Sequence, residues 1–152
     1  KVKWGSHQLN KRKAAQLKYG VRSGLEADNC QYLEDKGIPY EYEKHRIRWE
    51  DHQWRNYTPD FVIGSNGIIV ETKGRFTPAD RRKHLKIKEQ YPKLDIRFVF
   101  TNANSKINKG SKTSYADWCE RHGFLYANKF IPEEWLEEPE VEMRIERTED
   151  GQ

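Results

Sequence analysis

Two short runs of β-branched and aromatic residues, Phe61-Val-Ile63 and Ile68-Ile-Val70, flank Gly64-Ser-Asn-Gly67. Apolar runs of that length, parted by four turn-forming residues, predict an antiparallel hairpin. Upstream, Leu25, Cys30 and Leu33 give a partial apolar face at helical spacing. Ser23-Gly-Leu-Glu26 has the form of a capping box, and Gly37 and Pro39 are stop signals, so a helix is predicted from Ser23 to about Lys36. Tyr40 to Trp49 alternates tyrosines with charged residues and predicts one long, solvated strand. The edge of such a strand is open to pairing with another chain. Asp51 to Asn56 reads as a loop. Beyond the hairpin, Thr77-Pro-Ala-Asp80 opens a second helix, with Thr as N-cap and Pro at the first helical position, that ends before Pro92. Asp95 to Phe100 predicts a strand deeply buried on one face, and Ser105 to Lys112 a polar loop. A third helix is expected from Ser114 to His122, stopped by Gly123. Phe124-Leu-Tyr126 suggests a short strand and Glu133 to Glu138 a short helix. Residues 1–21 lack apolar periodicity and read as a mobile basic arm. This order of elements gives an α/β fold, a sheet with helices against it.

Composition sharpens that picture. A chain of 152 residues is enough for one domain with a real core. A mean hydropathy of −1.09 and 34% charged residues, with 12% aromatics, indicate a folded domain with a large wet surface. No stretch approaches the roughly 18 apolar residues of a membrane span. Cys30 and Cys119 stand alone without metal-type spacing, as expected of reduced thiols in a cytoplasmic setting. The net charge of +4 conceals a segregation. Residues 133–150 hold nine acids against Arg144 and Arg147, a net of −7, while residues 1–132 carry 26 basic and 15 acidic residues, a net of +11. A basic body of this size points to a polyanion, nucleic acid foremost, against the plainer reading of a solubilising surface.

The candidate chemistry follows from the hairpin. Pairing Ile63 with Ile68 sets Asp60 directly opposite Glu71, with Cβ atoms roughly 4.5–5.5 Å apart. Lys73 lies two residues beyond Glu71 on the same strand and projects from the same face. Asp60 alone could be a turn residue after Pro59, and Glu71 with Lys73 an ordinary surface charge pair. Together they converge two acids and an amine, which suits a hard divalent cation with a neighbouring proton donor, as in a metal-dependent nuclease. Glu26 completes the capping box of Ser23, and spacing alone favours that role over catalysis. Arg22 and Ser23 are candidate phosphate contacts at a helix N-terminus. Arg75, Arg81, Arg82, Lys83, His84, Lys86 and Lys88 crowd the segment after Lys73, where a phosphate backbone would lie, and Lys106 and Lys109 extend the basic set. Trp49, Trp54 and Tyr57 are read as aromatic core before base-stacking residues, and no histidine as a metal ligand.

These residues also resemble a known family. Arg22-Ser-Gly-Leu-Glu26, Lys36-Gly-Ile38, Tyr40-Glu-Tyr-Glu43, Tyr57-Thr-Pro-Asp-Phe61, Val70-Glu-Thr-Lys-Gly74, Arg82-Lys-His-Leu85, Leu94-Asp-Ile-Arg97, Lys109-Gly110, Thr113-Ser-Tyr115 and Ile131-Pro-Glu-Glu-Trp135 resemble the phage endonuclease I family, the Holliday-junction-resolving enzymes of podophages. The resemblance runs in unbroken order from about Val21 to Pro139, with the arm and the acidic tail outside it. It implies a restriction-endonuclease-like core, with a mixed β-sheet flanked by helices, in an intertwined, domain-swapped homodimer with shared active sites. The implied division is a basic arm (1–21), a nuclease domain (22–139) with an inter-subunit bridge at about 40–56, and an acidic tail (140–152). Asp60 and Glu71 are then metal-ligand carboxylates, Lys73 the active-site lysine and Glu26 a further catalytic carboxylate, with the Thr72 carbonyl an additional ligand and Glu26 helping to hold a second metal. The implied activity is Mg²⁺-dependent, Mn²⁺-tolerant hydrolysis of branched or mismatched DNA, four-way junctions above all, in the cytoplasm of an infected bacterial host. Between Tyr42 and Tyr57 the sequence diverges from the family, is a residue shorter and contains no proline. A basic DNA-binding protein without catalysis and a sequence-specific restriction-type nuclease are the rival readings.

Overall fold

The computed structural model describes residues 24–141. The basic arm, Arg22, Ser23 and the tail from residue 142 onward therefore lie outside the described residues. The predicted hairpin is present as β4 (Phe61–Ile63) and β5 (Ile69–Lys73). Phe61 opposes Val70 and Val62 opposes Ile69, the register expected from the turn. The Ile63 N–H donates to the Ile68 carbonyl at 2.9 Å, and Gly67 takes a left-handed φ of 74° to close the turn. Gly64 is held against the preceding chain: its N–H donates to the Pro39 carbonyl at 2.7 Å, and a Cβ there would meet that oxygen at 2.8 Å.

The hairpin anchors a mixed five-stranded sheet of order β1-β4-β5-β6-β7, in which β1 (Tyr40–Tyr42) pairs antiparallel with β4. β6 (Ile96–Phe100) and β7 (Tyr126–Asn128) add in parallel on the other side. Parallel neighbours require crossovers. α2 (Pro78–Gln90) lies in the first and α3 (Tyr115–His122) in the second. Both helices open with a complete capping box, Thr77 with Asp80 and Ser114 with Asp117, and α3 stops at left-handed Gly123. α1 (Gly24–Asp35) and α4 (Glu133–Glu137) pack on the opposite face, where Ala27, Cys30, Leu33, Trp135 and Leu136 meet Phe61, Ile63, Val70 and Val99. On the α2/α3 face, Phe76, Ile87, Trp118 and Phe124 meet Val62, Ile69, Phe98 and Phe100. Helices on both faces bury β6 completely, correcting the expectation of burial on one face. Arg97, inside that strand, is held by Asp95 at 2.8 Å and by Glu138. The two cysteines are free and sit in different cores, Cys30 under α1 and Cys119 in α3.

Two further expectations are corrected. The single strand from Tyr40 to Trp49 is instead broken into β1 and β2 (Ile47–Glu50), which belong to separate sheets. Glu43 takes a left-handed φ of 47° at the break, and its N–H donates to the Asp60 carbonyl at 3.1 Å. Side chains alternate strictly along a strand. The tyrosines of β1 are even-numbered and the buried Ile47 and Trp49 odd-numbered, so no single straight strand satisfies both. The segment read as a loop holds only a tight turn at Asp51 to Gln53, after which β3 (Trp54–Tyr57) pairs back on β2. This second hairpin is tied to α2: the Tyr91 hydroxyl donates to the Arg48 carbonyl at 2.6 Å, and Gln90 exchanges two hydrogen bonds with the Glu50 backbone.

Candidate active site

The β4–β5 register, continued one step past Phe61, sets Asp60 against Glu71. The Asp60 N–H donates to Glu71 Oε1 at 3.0 Å, and the buried Tyr57 hydroxyl donates to the same oxygen at 2.6 Å. Asp60 is served in parallel: Oδ2 accepts from both the N–H and the hydroxyl of Thr72, each at 2.9 Å. Each acid thus has one oxygen holding two donors, while among the described residues the other oxygen, Asp60 Oδ1 or Glu71 Oε2, accepts no hydrogen bond.

Both carboxylates are buried, Asp60 at 6% exposure and Glu71 at 4%. Burial, with the neighbouring Glu26 charge, pushes the Asp60 carboxyl up to about 6. Burial and the Asp60 charge push Glu71 well above the usual carboxylate range, only partly offset by Lys73. Buried acids crowded this way resist ionisation until a positive charge arrives, which is the electrostatic condition of an oxygen-ligand cation site.

Glu26 reaches this centre from α1. Glu26, Glu43 and Asp60 each offer a ligand oxygen, and these lie within 4.8 Å of one another. The Tyr42 hydroxyl bonds Glu26 and lies 3.0 Å from Glu43 Oε1, and these acids with burial raise its pKa. Lys73 is half-buried on the Glu71 face and donates to Asp80 Oδ1 at 3.2 Å. Asp80, the capping residue of α2, is kept below the usual carboxylate range despite its burial by the Lys73 charge and the Thr77 donors.

Four of the predicted site residues (Glu26, Asp60, Glu71 and Lys73) thus converge, with Thr72 between them. The basic set divides. Arg75, Arg82, Lys106 and Lys109 are exposed and Lys83 is half-buried. His84 and Arg81 are not presented to solvent. His84 is wholly buried between Tyr57 and Phe98 with neither ring nitrogen hydrogen-bonded, and burial pulls its pKa down to about 3. Arg81 turns inward and donates to the Phe76 carbonyl at 2.7 Å. Sequence reasoning missed Tyr57, Glu43 and Asp80 as neighbours of the centre. Tyr57 could have been found from its place on the strand leading to Asp60, and Asp80 from its cap position seven residues after Lys73.

A mixed α/β sheet carries a buried, incompletely compensated carboxylate pair beside a lysine, an arrangement whose donor set suits an oxygen-ligand cation. The particular family follows from comparison with known proteins. Phage endonuclease I matches residues 7–151, taking in most of the arm and tail that the quoted motifs leave out. The chain is 48% identical over 130 residues to Endonuclease I of Escherichia phage T7, covering 83% of this chain and 85% of that protein. It is 49% identical over 130 residues to Endodeoxyribonuclease 1 of Enterobacteria phage T3, covering 83% of each. The chain belongs to the phage endonuclease I family, and is accordingly a DNA endonuclease.

Proposed function

We propose that the protein is a divalent-metal-dependent, structure-selective endonuclease that resolves four-way DNA junctions and cuts related branched or mismatched DNA. The observation that carries the metal assignment is the pair of unbonded oxygens on two buried, mutually repelling acids. Asp60 and Glu71 would hold Mg²⁺, or Mn²⁺ in its place, with the Thr72 carbonyl as a further ligand and Glu26 toward a second ion. Bound there, a divalent ion supplies Lewis-acid polarisation of the phosphate and a more acidic water. Lys73, steered by Asp80, orients the attacking water or meets charge developing on the phosphate. Family resemblance supports junction selectivity, a restriction-endonuclease-like core, cuts leaving 5′-phosphate and 3′-hydroxyl ends, and action in the cytoplasm of the bacterial host.

Arg75, Arg82, Lys83, Lys106 and Lys109, with Arg22 and Ser23, are proposed to hold the DNA backbone, so that shape rather than base sequence selects the substrate. The intertwined homodimer belongs to the same proposal. Within the chain Glu26 reaches Asp60 directly. Crossing between protomers at residues 43–46, where the chain leaves the main sheet after β1, would reproduce that contact between subunits.

The test is incubation with a labelled four-way junction and a matched linear duplex, with and without Mg²⁺. Mg²⁺-dependent cutting of the junction alone is expected. Binding without cutting would support a non-catalytic DNA-binding protein, and site-specific cutting of the duplex a restriction-type nuclease.

A further inference from the structure

Tyr57 ends β3 and is 1% exposed, yet its hydroxyl is spent on Glu71 Oε1 rather than on a backbone group. The Lys83 amine, from α2, sits 4.8 Å from the centre of the Tyr57 ring, and the His84 ring packs edge-on against Tyr57 at 5.2 Å. α2 thereby fixes the ring that fixes the carboxylate. With Tyr57 Oη and the Asp60 N–H on the same oxygen, the Glu71 carboxylate cannot rotate without losing both bonds. Its other oxygen is therefore aimed by the protein, independently of any ion.

We propose that Tyr57 and Lys83 form a positioning pair that holds Glu71 in its ligand geometry: Tyr57 through its hydroxyl, Lys83 through its charge over the ring. The proposal rests on the assignment of Asp60 and Glu71 as the metal site. A cation over an aromatic face is attracted to the ring, which holds the ring where its hydroxyl meets Glu71. Burial disfavours the charge on the same amine, and Glu71 and Asp60, within its electrostatic reach, support it. Partners that orient a ligating carboxylate typically change metal affinity or activity 10–100-fold, roughly, when removed.

The test is calorimetric titration of the full-length protein with Mn²⁺ in the absence of DNA, alongside melting temperature and junction affinity in Ca²⁺. Tyr57→Phe keeps the ring and deletes only the hydroxyl. It should weaken Mn²⁺ binding by about 10-fold or more and lower kcat at fixed metal, with junction Kd unchanged. Lys83→Met also relieves the repulsion between a cation and the ion, so the several-fold weakening of Mn²⁺ binding expected of it reports lost positioning, and Lys83→Arg, which keeps a cation over the ring, should restore it. A Tyr57→Phe variant with lowered melting temperature but wild-type Mn²⁺ affinity would overturn the inference, since a structural tyrosine would behave so. Glu71→Ala separates the two levels of the argument. If it loses Mn²⁺ binding while Tyr57→Phe does not, only the positioning pair fails; if it binds Mn²⁺ normally, the metal site fails as well. Should Tyr57→Phe not fold, Lys83→Met decides alone, with unchanged or tightened affinity refuting the pair and weakened affinity supporting it.

Discussion

Asp51 and the Asp60–Glu71 pair are both sets of buried carboxylates, and they are treated oppositely. Asp51, in the β2–β3 turn, is 8% exposed and ringed by cations: Lys86 at 3.0 Å, Arg55 at 3.4 Å and Arg82 at 3.6 Å. The Lys86 hydrogen bond and the surrounding charges hold its carboxyl below the usual range. Asp60 and Glu71 instead face each other with Glu26 beside Asp60; Lys73 on their face is shared with Asp80, and the Lys83 amine lies over the Tyr57 ring. One site is complete as the chain folds, and its charge does structural work. The other keeps a deficit of positive charge that a divalent cation would fill. What separates the two sites is compensation, not burial.

The sharpest way to break that contrast is to remove an acid from each site. Glu71→Ala should lower the single-turnover rate of junction cleavage by at least about 100-fold while leaving junction binding intact or tighter, because a ligand and a negative charge near the DNA backbone are both lost. Asp51→Asn should lower the melting temperature and leave the cleavage rate within a few-fold of wild type. Equal losses of activity in the two variants would erase the distinction.

A second test asks which subunit supplies Glu26. It precedes β1, whereas Asp60 and Glu71 follow the break at Glu43. In the proposed intertwined dimer, a heterodimer carrying Glu26→Ala in one protomer and Glu71→Ala in the other, co-expressed with different tags, should nick one strand of a junction, because crossed chains would confine both lesions to one composite site. A correctly assembled but inactive heterodimer would show that each chain builds its own site.

The two acid sites also predict opposite pH dependence. A folded-state pKa raised above the unfolded value means the folded protein keeps protons the unfolded chain has lost. The uncompensated pair therefore costs stability as pH rises from the ordinary carboxylate range through about 6 for Asp60 and further for Glu71. Asp51, with its pKa lowered, contributes stability above its unfolded value that is lost as pH falls through its folded one. In metal-free buffer, thermal unfolding should show Glu71→Gln more stable than wild type at pH 8, with the gap closing toward pH 5 and shrinking when Mg²⁺ is added at pH 8. A gap independent of pH would mean that Glu71 carries no such burden.

The smallest effect concerns the exposed cations. Lys106→Ala with Lys109→Ala should reduce the salt dependence of junction binding by a slope of about 1–2 without moving the cut sites. An unchanged slope would make both lysines bystanders.

Much of the candidate centre was legible because hairpin register is a local property. Phe61 to Val70 specify the turn and the pairing, and Asp60, Glu71 and Lys73 follow by counting. Glu26 was not legible by spacing, since its approach to Asp60 depends on how α1 packs across the sheet; only the family resemblance pointed to it. The break at Glu43 was written in the switch of apolar parity between Tyr42 and Ile47, a signal masked by the continuous run of charge. β3 gave no periodic signal because only Tyr57 of its four residues is buried. α2 looks like a solvated helix in composition, yet Arg81, His84 and Ile87 fall at successive three-residue steps and form its inward face. Counting charges sent Arg81 and His84 outward; counting spacing would have turned them in.

The most direct test of the central claim is the position of a bound ion. A crystal of the full chain equilibrated with Mn²⁺ should give an anomalous difference peak in contact with a carboxylate oxygen of both Asp60 and Glu71, and none at Asp51. A peak at Asp51, or well-ordered Asp60 and Glu71 side chains with no peak between them at saturating Mn²⁺, would contradict the account.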